Sequence, residues 1–122
     1  MDIKYITTSA EYSAVLKHGT RIMAKGMVVI HSANHAECKI GIIASKKIGS
    51  AVKRNRCKRR LRALVNKLAP KYAQEKHWYV IIARTSILTR PFDKLTADLI
   101  YCFSNTTKYK SLPHSSNREF RV

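Results

Sequence analysis

Acidic side chains are scarce. The 122 residues hold seven Asp and Glu against 24 Lys and Arg, a formal net charge of +17 with His neutral. So few carboxylates, so widely scattered, exclude a clustered carboxylate centre. Asp93 and Asp98, five residues apart on an expected helix, are the nearest pair, and they do not make the two-metal site of a nuclease. Long apolar runs are absent too. No stretch reaches about 18 apolar residues, the length a membrane-spanning helix needs. The first residues, Met-Asp-Ile-Lys-Tyr-Ile-Thr-Thr-Ser, lack the apolar segment of a secretory signal. Cysteine is limited to Cys38, Cys57 and Cys102. An odd, widely spaced set points to a reducing cytoplasm rather than a disulfide framework. A phosphate loop of the Gly-x-x-x-x-Gly-Lys-Ser/Thr type is missing, and no Ser-His-Asp or Cys-His arrangement can be nominated. His31, His35 and Cys38 have a His-x3-His-x2-Cys spacing, but on an expected hairpin turn without a clear fourth ligand. No catalytic residue, metal site or protein-bound cofactor is therefore expected. A basic chain without catalytic groups acts by binding.

What is abundant is positive charge in one place. From Cys38 through Tyr72 there is no Asp or Glu, yet this stretch holds half of the 24 cations. Like charges crowded together repel, so a one-signed block calls for a polyanion. A disordered basic tail fits poorly. Cys57, Leu61, Leu64, Val65 and Leu68 recur at i, i+4, i+7, i+8 and i+11, the stripe of an amphipathic helix docked on a core. At about 100° per residue, Asn55, Arg56, Arg59 and Arg62 point away from that stripe, Lys58 and Arg60 flank it, and Arg54 falls towards it. Just ahead, Lys46-Lys47-Ile48-Gly49-Ser50 reads as a tight turn into the helix. Gly49 permits an unusual backbone, Ser50 is the expected N-cap, and the helix start attracts phosphate.

The rest of the chain reads as one domain over residues 1–105 with a polar basic tail over 106–122. A first helix opens near Thr8-Ser9 with Glu11 completing a capping box. Tyr12, Val15 and Leu16 share one face, and Gly19 ends it. Thr20 to Ser32 reads as one strand bent at Gly26, Cys38 to Ser45 as the next, and Trp78 to Ala83 as a buried strand. Between the last two, the basic helix runs to about Ala69-Pro70, with a further short turn open to it at Tyr72 and Ala73, completing a βαβ unit. A last helix begins at Arg90-Pro91-Phe92-Asp93. The fold class is α+β, a small sheet of about four strands, three of them assigned above, with packed helices.

Ser45-Lys46-Lys47-Ile48-Gly49-Ser50-Ala51-Val52-Lys53-Arg54-Asn55-Arg56-Cys57-Lys58-Arg59 resembles the signature of the protein subunit of bacterial ribonuclease P. The aromatic-bearing first helix and the strand ending at Arg84 extend the resemblance over residues 7–105. It implies a left-handed crossover, like that in the second domain of a small-subunit ribosomal protein, where general rules favour a right-handed one. It implies an accessory subunit of an endoribonuclease that removes the 5′ leader of precursor tRNA, with Mg²⁺ and the chemistry carried by a catalytic RNA. Lys46, Lys47, Lys53, Arg54, Asn55, Arg56, Lys58, Arg59 and Arg62 then map to the surface for the catalytic RNA. Tyr12, Leu16, Met27, Val29 and Ile30 map to a cleft for the leader. Leu16 and Ile30 stand where that family commonly has aromatics, which implies weaker base stacking. Catalytic RNA and precursor tRNA are the implied partners of a monomeric protein with no membrane role. A ribosomal-protein-like structural RNA binder is the alternative, and the Arg-Asn-Arg run after Gly-x-Ala-Val separates the two.

Overall fold

Hydroxyl caps start the first two helices. The Thr8 hydroxyl accepts from the Glu11 N–H at 3.2 Å, opening helix α1 (Ser9–His18), while the Glu11 carboxylate accepts from the Thr7 N–H at 3.2 Å. Of the two candidate caps, Thr8 therefore does the work. The Ser50 hydroxyl accepts from the Lys53 N–H at 3.3 Å and opens helix α2 (Ala51–Tyr72). Gly49, at φ 136°, supplies the left-handed turn between that cap and a 3-10 turn at Lys46–Ile48.

A computed structural model describes residues 3–110. Five strands, β1 (Ile3–Tyr5), β2 (Thr20–Met23), β3 (Met27–Ser32), β4 (Cys38–Ile43) and β5 (Trp78–Ala83), form one mixed sheet in the order β1-β4-β5-β3-β2. The pairs β1–β4 and β4–β5 are parallel, and β5–β3 and β3–β2 are antiparallel. The α+β class and the β4–α2–β5 unit stand as expected. The strand count does not. Residues 20–32 form a hairpin, because the chain reverses at Ala24–Gly26 instead of bending there. The fifth strand, β1, has only three residues at a sheet edge, too few for a period-2 pattern to register.

Two further boundaries differ. Helix α2 runs past Pro70 to Tyr72. Pro70 lies in the last turn, on the exposed side, where one lost hydrogen bond is tolerated. Helix α3 (Phe92–Lys110) continues beyond residue 105, with Thr106 buried and its hydroxyl donated to the Phe103 carbonyl. The remainder of the segment read as a tail, 111–122, lies outside the described residues.

The sheet separates two apolar layers. On one face Cys57, Leu61, Leu64, Val65 and Leu68 of α2 and Leu95, Leu99 and Phe103 of α3 pack on Met27, Val29, Ile40, Tyr79 and Ile81. The α2 stripe thus faces the core as the spacing predicts. On the other face α1 lays Val15 over Ile30 and Val80, with Tyr12 at the edge of that smaller cluster.

Candidate nucleic-acid interface

The outer face of α2 carries Lys53, Asn55, Arg56, Arg59, Arg62 and Lys67, all exposed, and Lys46 and Lys47 stand exposed ahead of it. Arg54 and Lys58 are half-buried along the flank. The acids that form ion pairs lie elsewhere. Glu11 and Glu37 hold Lys39, Glu37 also holds Lys4, and Asp98 holds Arg90. Among the described residues no carboxylate pairs with any cation of α2 or of the turn before it. The repulsion of that row is left uncompensated, which favours an external polyanion.

Arg60 belongs to a different role. Its guanidinium donates to the carbonyls of Ile87 (2.9 Å), Leu88 (3.2 Å) and Arg90 (3.1 Å) and lies over the Phe92 ring. It ties α2 to the connection between β5 and α3. Cations next to one another in sequence therefore split into an outward, unpaired set and one inward staple. Cys57, beneath them, is fully buried, and burial raises its thiol pKa, so it packs as an apolar side chain.

The second surface lies under α1. Strand register arranges that sheet face in rows. Met23, Val28, Ile82 and Ile43 form one row, and Arg21, Ile30, Val80 and Gly41 the next. In the second row α1 covers Ile30 and Val80 completely. In the first row Val28, Ile82 and Ile43 are half-buried and Met23 is exposed, so an apolar floor remains open. Tyr12 forms its wall. Its hydroxyl accepts from the Ile42 N–H at 3.2 Å, and its ring sits where any side chain at residue 41 would be, 2.4 Å from an ideal Cβ. Gly41 is thus required by close approach. Leu16, one helical turn on, stays 43% exposed.

Two of the expected cleft residues are misplaced. Met27 and Val29 are fully buried against α2 and α3, on the opposite face of the sheet. Adjacent strand residues point to opposite faces, so Val28 and Ile30 share the face under α1 and Val29 does not; Val28 stays half-open there, while Ile30 is sealed beneath the helix rather than lining the open cleft. The signal was present in the alternation. Ile43, Ile82 and Met23, which sequence reasoning did not nominate, share the face of Val28 through the ladder. The His-x3-His-x2-Cys set also divides. His31 is buried on the core side, at 6.3 Å between ring centroids from Tyr79, while His35 stacks on Trp78 at 4.0 Å. Burial pushes the Cys38 thiol up to about 11.

A mixed sheet with an unpaired cationic helix on one side and a half-open apolar cleft on the other defines a basic α+β domain of the kind that suits a polyanion with unpaired bases. The family model described as Ribonuclease P matches residues 3–107, and the chain belongs to that family. It is 36% identical over 96 residues to the ribonuclease P protein component of Syntrophomonas wolfei subsp. wolfei, covering 78% of this chain and 80% of the relative. It is 32% identical over 109 residues to that of Bacillus pumilus, covering 88% and 91%. The RNase P protein of Staphylococcus aureus matches in structure with a TM-score of 0.68 and 25% identity, over 80% of this chain and 89% of that one. The RNase P protein from Thermotoga maritima shares the fold at a TM-score of 0.73 and 19% identity, over 84% and 96%.

Proposed function

We propose that this chain works as the protein component of ribonuclease P by holding two RNA elements on two surfaces. The α2 face, with Lys46 and Lys47, binds phosphates of the catalytic RNA. The cleft floored by Val28, Ile82 and Ile43 and walled by Tyr12 and Leu16 binds the unpaired 5′ leader of precursor tRNA. The catalytic RNA, with Mg²⁺, cleaves the phosphodiester that yields the mature tRNA 5′ end. The observation that carries this reading is the separation of the surfaces. Cations without acidic partners lie on one side of the sheet and an open apolar floor on the other, so each can engage a chemically different part of an RNA complex. No helix among the described residues is long and apolar enough to cross a membrane.

The test is reconstitution. Protein without RNA should leave precursor tRNA intact at any Mg²⁺ concentration. Added to its catalytic RNA, it should lower the Mg²⁺ needed for cleavage and should tighten binding of leader-bearing substrate over mature tRNA. Cleavage by the RNA-free protein, or equal binding of tRNA with and without a leader, would sink the proposal.

A further inference from the structure

The open row of the cleft does not end at Val28 and Ile82. Arg84, just past the end of β5 and still in extended backbone, continues the alternation of Val80 and Ile82 about 7 Å on, and Lys25 lies in the β2–β3 turn. These two, with Thr85, Ser86, Thr89 and Arg90, line a polar pocket of about 460 Å³. Its walls are held from several directions. The Arg84 N–H donates to the Gly26 carbonyl (3.1 Å), its guanidinium to the Ala24 carbonyl (3.2 Å), and the Ser86 hydroxyl to the Lys25 carbonyl (2.8 Å). Asp98 accepts from the Gly26 N–H (3.1 Å) and from two Arg90 nitrogens (2.7 and 3.0 Å), joining α3 to the turn. Arg60 binds the carbonyls of Ile87, Leu88 and Arg90 behind it.

These bonds have a common electrostatic result. Loop carbonyls that would repel an anion are occupied by protein donors. No carboxylate lines the pocket; Asp98 behind it is paired with Arg90, and Asp93 also lies within electrostatic reach of Arg90. The Lys25 ammonium has no hydrogen bond or ion pair among the described residues, its carbonyl alone being bonded, and the Arg84 guanidinium gives one N–H to Ala24 and meets no carboxylate. The pocket is a rigid frame with two unneutralised cations at the end of an apolar floor.

We propose that this pocket is a discrete phosphate site, which takes a backbone phosphate of the single strand whose bases lie on the Met23–Val28–Ile82–Ile43 floor. The inference rests on the leader-cleft reading and adds to it a fixed register. One linkage of the strand is set by the distance from the floor to Lys25 and Arg84, whatever its base sequence.

The experiment is a scan of neutral linkages. Holoenzyme is assembled with wild-type protein and with the Lys25→Gln/Arg84→Gln variant. Each binds precursor tRNAs carrying a methylphosphonate at one leader linkage at a time. In wild type, one linkage or two adjacent ones should lose affinity by about two- to fivefold, the worth of an exposed charge pair. In the variant that loss should vanish while losses at other linkages persist. Lys25→Gln alone, which disturbs no bond of the frame, should reduce it partway. A scan profile identical in wild type and variant, or one with no sensitive linkage, overturns the proposal. Failure of the leader-cleft reading looks different, since tRNAs with and without a leader would then bind alike.

Discussion

The two faces of one sheet are closed to different degrees. Under α2 and α3 the packing is complete, and Ile22, Met27, Ile40, Tyr79, Ile81 and Phe103 are all fully buried. Around α1 the buried apolar cluster is Ile6, Val15, Ile30 and Val80, with half-buried residues around it. Helix length accounts for the difference. Helices α2 and α3 have 22 and 19 residues, and α1 has ten, or about 15 Å of cover. A five-stranded sheet at about 4.8 Å per strand is wider than that. One face is therefore finished by folding. The other keeps Val28, Ile43 and Ile82 half-buried and Met23 exposed, the apolar surface that the proposed leader cleft would use.

Stability should show the contrast most strongly. Leu61→Ala, in the sealed layer, is expected to cost about 2–5 kcal/mol, since a fully buried leucine leaves a cavity that its neighbours fill only in part. Ile82→Ala, on the half-open face, should cost clearly less, because its side chain is already partly in water. Arg56→Ala should stay within about 0.5 kcal/mol, as for exposed positions generally. Chemical denaturation of the three variants measures this order. Equal losses for Leu61 and Ile82 would erase the distinction between the faces.

Acid offers a second way to separate them. His31 sits in the sealed layer, and neither ring nitrogen has a hydrogen-bond partner among the described residues. Burial, with a smaller contribution from the nearby His77, lowers its pKa to about 4. The unfolded chain takes up a proton near pH 6.5, so between about pH 6.5 and 4 the unfolded state binds more protons and stability falls as pH falls. At 1.36 kcal/mol per unit this reaches about 3 kcal/mol at the acid end. Unfolding midpoints measured from pH 7 to pH 4 should decline in wild type and decline less in His31→Phe. Identical acid limbs would mean that the charged imidazole finds water.

How much of this was legible beforehand varies with the range of the interaction. The α2 stripe, its Ser50 cap and the Gly49 turn are local patterns, and each stands where spacing and residue type put it. The βαβ unit followed from three such patterns in a row. Long-range register was not legible. The resemblance maps Met27 and Val29 to the cleft together with Ile30; alternation separates Val29 from Ile30, but only pairing with β5 shows which of the two lies under α1. Arg60 reads as one more cation of a basic run. Its three carbonyl partners lie 27 to 30 residues away. The Lys25–Arg84 pocket joins residues about 60 apart in sequence, through a turn that reads as the middle of a strand.

Binding effects should be smaller than the stability effects, and position matters in choosing the probe. Tyr12 is a poor one, since it also covers Gly41 and holds the Ile42 N–H, so Tyr12→Ala mixes folding with binding. Leu16 is cleaner. It is exposed, and an aromatic there can stack on a base. Leu16→Tyr should tighten leader-bearing precursor by about 1 kcal/mol, the low end for one stacked base, and leave mature tRNA unchanged. Competition binding between the two substrates decides it, and equal tightening of both would place Leu16 outside the leader path.

The smallest effect should come from the α2 face, and it is best read as a slope. Each phosphate neutralised by a lysine or arginine releases condensed counterions, so the log of affinity falls with the log of salt by about 0.7 to 0.9 per contact. Arg56 points into solvent with no acidic partner among the described residues, so its charge is free to make one such contact. Arg56→Ala should flatten the salt dependence for the catalytic RNA by about one contact's worth. Leu16→Tyr should change affinity for leader-bearing substrate without changing its slope, because stacking displaces no counterions. Arg60→Ala provides the control within the same helix. Its guanidinium is spent on three carbonyls, so its loss should lower stability and leave the slope as in wild type. Salt titrations of the three variants against catalytic RNA and precursor tRNA give all of these values together. A flattened slope in Arg60→Ala equal to that in Arg56→Ala would mean that Arg60 turns outward when RNA binds, and the division between outward cations and inward staple would fail.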